Sequence, residues 1–548
     1  MPLQKNQVLT LQVERLSSDG SGVAHSPEGE TVFIPGAAPG DEARVRIVKD
    51  CKRYAFGILD EVLTPSPDRI PVDCAVAGPC GGCSLRHLDY AAELRAKQEN
   101  VADAFARIGG LDVPVLPIVG SPEIDRYRNK VQFPVGTDKD GRPCIGFYAG
   151  RTHRIVPCPD CRLQPGVLNE IGNTLCAFFA EKGIHPYNEE TGKGLVRHIF
   201  LRRGAHSGQI MVCPVCTRAK LPSAEELCTR LKEAFPDIVT ILLNVNAKNT
   251  NVILGSETHT LYGQGYIEDT LCGVPVQLGP LSFYQVNTLA AEQLYSIAAE
   301  YAQLTPDDLL LDLYCGMGTI GLSMADHCRE LVGVEIVPEA IESAKANAAR
   351  MGAAVSAKSR FFCADAGQAA AQLAAEGLHP DVVMLDPPRK GCDEATLSAV
   401  VRMAPRRVVY VSCNPATAAR DAAWLEQNGY HAEKVQPVDL FPRTKHVETV
   451  VLLSQQKPDD TIEIDLDLDE LDATAAETKA TYEEIKAYIW DTHHLKVSSL
   501  YISQIKRKCG LEVGQNYNLS KSENPKVPKC PPEKEAAIMD ALKHFQMI

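Results

Sequence analysis

No uninterrupted apolar run in the sequence reaches the ~20 residues that a membrane-crossing helix requires, so a spanning segment is not expected. The opening stretch MPLQKNQVLTLQVERL carries charges inside its apolar part and has no uncharged central segment, so no secretory leader is expected and the chain is read as cytoplasmic. Positive charge is also short. With 56 Lys+Arg against 70 Asp+Glu the formal net charge is −14, which as a whole-chain sum argues against a nucleic-acid partner. The sum hides an uneven distribution. From Lys457 to Lys479 there are nine acids against two lysines, whereas Arg126, Arg128 and Lys130 form one basic strip. Arg197, Arg202, Arg203, Arg218 and Lys220 form a second, with no acid between its ends. Each strip reads either as solvated surface or as a phosphate track. Cysteine, by contrast, is plentiful: in a reducing compartment 19 of them are not a disulfide framework, so clusters are read as metal ligands or catalytic thiols.

At 548 residues the chain exceeds one core and is expected to form roughly three or four domains. Residues 1–60 alternate and turn often (VLTLQVERL, SSDGSGVAH, ETVFIPGAAPG, RYAFGILDEVL), the pattern of a small closed β-barrel. It resembles the TRAM domain, an OB-like barrel of RNA-modifying enzymes, and the resemblance implies an RNA grip. Residues 61–274 read as α+β. Asp89–Ile108 is predicted as an amphipathic helix with Leu94, Val101, Phe105 and Ile108 inward, stopped at Gly109-Gly110. Strands are predicted over RYRNKVQFPV, CIGFYAGRTHRIV, GLVRHIFLRRG and QIMVCPV, then a helix from Leu221 to Phe235, then TILLNVN paired with VILG. From residue 275 to 456 strands alternate with helices, beginning with a strand end at LSFYQVN, which predicts a doubly wound Rossmann-like domain. Residues 457–480 read as an acidic linker and 481–548 as a small helical module. In that module Lys506, Arg507 and Lys508 read as a solvated helix end rather than a nucleic-acid patch.

Two groups of residues carry chemistry. Cys74, Cys80 and Cys83 have the spacing C-x5-C-x2-C, and Gly78, Pro79, Gly81 and Gly82 let the backbone curl so that three thiolates converge. A fourth ligand is needed, and Cys158 and Cys161 in HRIVPCPDCRLQP are the candidates. A triplet plus one distant thiol suits an iron-sulfur cluster better than zinc, whose ligands come as two close pairs. The other group lies at predicted strand ends. VVYVSCNPAT is a β-branched strand ending in Cys413, because Pro415 forbids its continuation. A thiol there stands where open α/β sheets transform ligands, although a lone buried cysteine is commonly only a small hydrophobe. DLYCGMGTIG puts Gly316, Gly318 and Gly321 between a strand and a helix, and Glu335 ends the next strand, placed to accept both hydroxyls of a ribose. The loop is read as distinct from the dinucleotide fingerprint. With the rigid acid of Asp386-Pro387-Pro388 it favours S-adenosylmethionine over a nicotinamide cofactor. Amino-directed methyltransferases need no nucleophile, but carbon 5 of uracil does. A thiolate added to carbon 6 makes carbon 5 enolate-like, so that it accepts a methyl group; a base then removes the carbon 5 proton and the thiolate leaves. Glu448, just ahead of the buried run Thr449–Leu453, is the candidate base or, alternatively, a surface carboxylate at a strand start.

SFYQVN, DLYCGMGTIG, LDPPRKG, VSCNPAT and HVETVVLL, preceded by the C-x5-C-x2-C triplet and CRLQ, resemble the RNA uracil-5-methyltransferase family over roughly residues 5–455, specifically its TRAM-bearing, iron-sulfur ribosomal RNA members. The resemblance implies Cys413 as nucleophile and Glu448 as proton acceptor. It implies Gln285, Tyr314, Glu335, Asp365 and Asp386 as contacts to S-adenosylmethionine, and Cys74, Cys80, Cys83 and Cys161 as ligands of a 4Fe-4S cluster, with Cys158 an extra thiol. The implied substrate is 23S ribosomal RNA. Transfer RNA is the close alternative, a non-catalytic RNA-binding or redox-sensing protein the distant one, and no membrane or protein partner is implied.

Overall fold

The computed structural model describes residues 3–150, 152–248, 251–456, 481–509, 511, 530–545 and 547–548, and the chain forms two compact units, Met1–Asp459 and Asp460–Ile548. The acidic stretch 457–480 lies outside the described residues. None of the described helices is long and apolar enough to cross a membrane.

The first unit opens with five strands between Val8 and Thr64 closed into a barrel. Alternation decides its inside: Ala43, Val45 and Ile47 are buried, while Glu42, Arg44 and Arg46 between them face out. A seven-stranded sheet follows, in the order Glu257–Tyr262, Ile238–Val245, Ile210–Cys216, Val196–Arg203, Lys130–Thr137, Pro143–Tyr148 and Ile155–Pro157. The helix Gly166–Glu181, which the pattern did not announce, packs on it through Leu168, Ile171, Leu175 and Phe179. Two sequence expectations are corrected here. VILG is not a strand: the partner of Ile238–Val245 is Glu257–Tyr262. LSFYQVN is not a strand end either, but an extended loop whose carbonyls at Gly279 and Ser282 each accept a 2.7 Å hydrogen bond from the buried guanidinium of Arg202.

The second seven-stranded sheet has the order Ser359–Cys363, Glu330–Glu335, Leu309–Leu313, Val382–Leu385, Arg407–Ser412, Glu448–Gln455 and Tyr430–Val438. The first five are parallel, Glu448–Gln455 runs against them, and Tyr430–Val438, antiparallel to Glu448–Gln455, runs with the first five again. Being covered on both faces, its strands are near-continuous apolar runs. Leu310, Val382, Met384, Val409 and Val411 enter one core with Leu294, Tyr295 and Ala298 of the helix Thr288–Ala302. Leu311, Leu313, Val383, Leu385, Val408 and Tyr410 enter the other. Truncating any of these to alanine costs about 2–5 kcal/mol. The second core also takes in Val101 and Phe105, so the helix Tyr90–Ala104 covers this sheet. Its inward face is not the predicted one throughout. A five-residue π-turn, Phe105–Gly109, breaks the 3.6-residue period and leaves Ile108 57% exposed, while Glu93 and Lys97 are buried.

The second unit contains helices Tyr482–His493, Ser499–Lys508 and Pro532–His544 around Ile485, Ile489, Ile502, Ile505, Ile538 and Leu542. Of its basic triplet, Lys506 lies over the Tyr482 ring and Lys508 pairs with Glu535, while Arg507 is exposed.

Candidate active site

Sheet register decides the central geometry. Arg407–Ser412 and Glu448–Gln455 are antiparallel neighbours with Ser412 opposite Thr449. The ladder ends there, and the next residue of each strand end, Cys413 and Glu448, stands at the same edge of the sheet, near enough for the Glu448 carboxyl to act on the thiol. Immediately beyond the thiol, Asn414 caps the helix Pro415–Glu426 by accepting the Ala416 N–H, and Pro415 fills the first turn, where its missing N–H is no loss. Asn414 Nδ2 also donates to the carbonyl of Arg389 at 3.0 Å, and Arg420 takes the carbonyls of Lys390 and Cys392. The PPRKG turn is thereby held with Arg389 near enough to draw the Cys413 thiol toward its charged form.

Acids crowd this point. Glu448 is buried, and burial followed by the charge of Asp386 pushes its carboxyl well above the usual range, with Arg389 opposing. Asp386, directly after the strand Val382–Leu385, is partly reached by solvent yet surrounded by protein, and burial pushes it up to about 7. The Cys413 thiol is likewise raised, first by burial, then by Glu448 and Asp386, against the pull of Arg389. A third acid, Asp312, is pushed up to about 8 by burial and by the charges of Asp386 and Glu335. Asp312 was missed by sequence reasoning, although a charge inside the apolar run LLLDL was the signal that could have found it. Its Oδ2 accepts the Gly321 N–H at 3.0 Å, while Oδ1 is buried with no partner.

The glycine turn begins with strain. Tyr314 has φ +66°, a left-handed conformation unusual for a non-glycine residue, and Gly316 and Gly318 follow at φ +55° and +78°. A Cβ on Gly321 would stand 2.7 Å from Asp312 Oδ2, so only glycine fits there. Gly316, Gly318 and Gly321 have G-x-G-x-x-G spacing, which corrects the reading of this loop as distinct from the dinucleotide fingerprint; the glycines alone do not choose the cofactor. Glu335 is tied to the turn, its Oε2 accepting the Gly316 N–H at 3.2 Å and its Oε1 the Val337 N–H at 2.9 Å. Ile336, 61% exposed, adds an apolar surface beside that acid which the sequence reading overlooked. Asp365 caps the helix Ala366–Ala375, and the Tyr314 hydroxyl is 3.3 Å from that of Thr396. Gln285 lies in the extended loop, its carbonyl accepting Asn129 Nδ2 at 2.7 Å.

Residues 276–456 match the family model described as tRNA (Uracil-5-)-methyltransferase, and residues 2–59 match the TRAM domain. An uncharacterized RNA methyltransferase of Halalkalibacterium halodurans is 43% identical over 453 residues, 82% of this chain and 98% of that protein. One from Clostridium tetani is 41% identical over 83% of this chain and 98% of its own length. The chain belongs to the RNA uracil-5-methyltransferase family. Among solved structures, the tRNA (uracil-54, C5)-methyltransferase of Pyrococcus abyssi in complex with S-adenosyl-L-homocysteine superposes with a TM-score of 0.65 at 28% identity, covering 82% of this chain and 100% of that one. The sheet that carries Cys413 is thus a methyltransferase fold, and the barrel at the head of this family member is a TRAM domain.

The structure gathers five cysteines in a second place. Cys80 and Cys83 are raised by burial and by neighbouring thiols, including Cys74 and Cys161, and Cys83 is pushed up to about 12. Cys161 is held down to about 6, first by its hydrogen bond with Cys158, then by the amides of Leu163 and Gln164. Around them Arg86 reaches Asp73 and Asp125 at 2.7 Å each, and Arg162 Nε lies 2.9 Å from Asp73. Among the described residues no three His, Cys, Asp or Glu side chains stand together as a metal-ion site. The basic strips are largely engaged within the protein. Arg126 forks onto Asp160 at 2.6 and 2.9 Å, Arg197 donates to the carbonyls of Asn246 and Lys248, and Arg202 is the loop clamp already described. Arg218 and Lys220 are exposed.

Proposed function

We propose that this protein transfers a methyl group from S-adenosylmethionine to carbon 5 of a uridine in RNA, with Cys413 as nucleophile and Glu448 as base. The observation that carries the reading is the register that pairs Ser412 with Thr449 and so brings the adjoining Cys413 and Glu448 to one edge of the sheet, beside Asp386 and Arg389. When bound, the donor supplies an electrophilic methyl group on a positively charged sulfur. Cys413 Sγ adds to carbon 6, carbon 5 takes the methyl, the Glu448 carboxylate accepts the carbon 5 proton, and elimination returns the thiolate and the aromatic base. Arg389 favours the thiolate against the surrounding acids. Glu335, Asp365, Tyr314, Gln285 and Asp386 are assigned to the donor, Glu335 through the ribose.

The substrate assigned is 23S ribosomal RNA, with the TRAM barrel as an additional grip. Transfer RNA is the second reading, supported by the substrate of the Pyrococcus abyssi protein. Incubating both unmodified RNAs with labelled donor and mapping the methylated base decides between them, and label in neither overturns the reading. We further assign a 4Fe-4S cluster to Cys74, Cys80, Cys83 and Cys161. Cys74 and Cys161 both act on Cys80 and Cys83, which puts the four thiols near one another, and the Gly82 N–H on Cys80 with the Leu163 and Gln164 amides on Cys161 is sulfur hydrogen bonding of the kind such a cluster uses. The reaction moves no electrons, so the cluster's part is structural. Anaerobically purified protein is expected to be brown with about four iron atoms per chain; a colourless protein with one zinc overturns the assignment.

A further inference from the structure

The loop from Asp439 to Val447, which leads into Glu448, is held almost entirely by other parts of the chain. Its successive carbonyls are each taken by a donor from elsewhere: Leu440 by Asn287 Nδ2 at 3.1 Å, Phe441 by Lys97 Nζ at 3.2 Å, Pro442 by the Tyr127 hydroxyl at 3.0 Å and Arg443 by the Leu85 N–H at 3.1 Å. Beneath it lies a buried ion network. Lys97 Nζ donates to Glu93 Oε1 at 2.7 Å and to Asp439 Oδ1 at 2.8 Å, so with Phe441 all three of its protons are committed. Asp439 Oδ2 accepts the Tyr90 hydroxyl at 2.9 Å, and Glu93 Oε1 also accepts the Arg443 N–H at 2.7 Å. The side chains of Lys97, Glu93 and Asp439 are 1%, 0% and 0% exposed. Burying such a group is a poor way to gain stability, since desolvation offsets most of the attraction, but the three bonds of Lys97 leave it one arrangement, with Glu93 Oε2 buried without a hydrogen-bond partner 3.8 Å from the Arg443 guanidinium.

We infer that Lys97, with Glu93 and Asp439, is a positioning device for the reaction: it locks the 439–447 loop onto the helix Tyr90–Ala104 and thereby fixes Glu448 against the uracil bound to Cys413. The inference rests on the reading of Glu448 as the base. Without the lock, nucleophilic addition and methyl transfer proceed while proton removal, and with it release of the thiolate, slows. Lys97→Met removes the charge at similar length, and Asp439→Asn keeps the shape while weakening the lysine bond.

Single-turnover assays with labelled donor and unmodified RNA, quenched in denaturant, read both formation and decay of the protein-RNA adduct, with Glu448→Gln run alongside. Both lock variants are expected to lower kcat at least about tenfold, with KM for RNA changed no more than about twofold, and to accumulate a denaturant-resistant adduct as Glu448→Gln does. A role in stability alone would lower the melting temperature without accumulating adduct. If Lys97→Met fails to bind donor, the behaviour of Asp439→Asn decides. Adduct trapped by Glu448→Gln but resolved at the wild-type rate in the lock variants overturns the positioning role alone. Absence of trapping in Glu448→Gln overturns the base assignment and this inference with it.

Discussion

The Cys413 site and the cysteine cluster both gather reactive thiols, and they do so by opposite means. At Cys413 one thiol is fixed by regular structure, a strand end paired in register with another strand and followed at once by a capped helix. Its neighbours Glu448 and Asp386 are acids whose carboxyls burial raises. In the other region the thiols sit on irregular backbone between Cys74 and Cys83 and around Cys161, braced by the Arg86–Asp73–Arg162 charges; burial raises Cys80 and Cys83, with neighbouring thiols adding to it, and the Cys158 hydrogen bond lowers Cys161. Covalent chemistry on a planar base demands one direction of attack, which a sheet provides. Gathering several ligands demands that the backbone turn repeatedly, which glycine-rich loops provide.

The comparison is broken most directly at its centre. Cys413→Ala is expected to abolish methyl incorporation while donor affinity, measured calorimetrically, stays within about twofold, because the thiol activates the base and does not build the donor pocket. Turnover in that variant sinks the mechanism. In Glu448→Gln the expected outcome is an RNA adduct that survives denaturation on a gel; rapid turnover leaves Glu448 without its role. The other region is sharpened by pairing two variants: Cys161→Ala should lose the iron absorbance and Cys158→Ala keep it, and the reverse would exchange their parts.

A smaller effect concerns stability. Asp386 has its acid raised from 3.8 to about 7, so between those values the folded protein holds a proton that the unfolded chain has lost. Stability therefore falls as pH rises through that window and stays lower above it. Asp386→Asn should flatten the slope and melt a few degrees above the parent at about pH 8, at roughly 2–4 °C per kcal/mol; an unchanged profile shows that the acid is not raised. The smallest effect lies on the surface. Neutralising Arg218 and Lys220 should reduce the salt dependence of RNA binding by about 1.4 in slope, at about 0.7 per single-strand contact. Arg126→Ala, already satisfied by Asp160, should leave the slope unchanged, and the opposite pattern would return the RNA path to the first strip.

Much of this was legible in the chain. The strand-end motifs, the barrel alternation and the strand stop ahead of Pro415 follow from local periods and from what proline forbids. The departures are of one kind. LSFYQVN has strand composition, but Arg202 on another strand takes its carbonyls and holds it extended and unpaired. Ile108 continues the helical period on paper, and a π-turn rotates it into solvent. The basic strips read as surface because their partners are remote, with Asp160 lying 34 residues from Arg126.

By itself the sequence singled out candidate residues for the chemistry and the strand that each adjoins, because hydrophobic period, glycine turns and proline stops act within a few residues. Tertiary structure alone decided that Cys413 faces Glu448, that Asp312 joins Asp386 and Glu335 in one low-dielectric site, and that Lys97 meets Asp439 from 342 positions away. Register and burial are properties of packed neighbours. The energy of a charge depends on what surrounds it, and no local pattern states what a distant segment will bring.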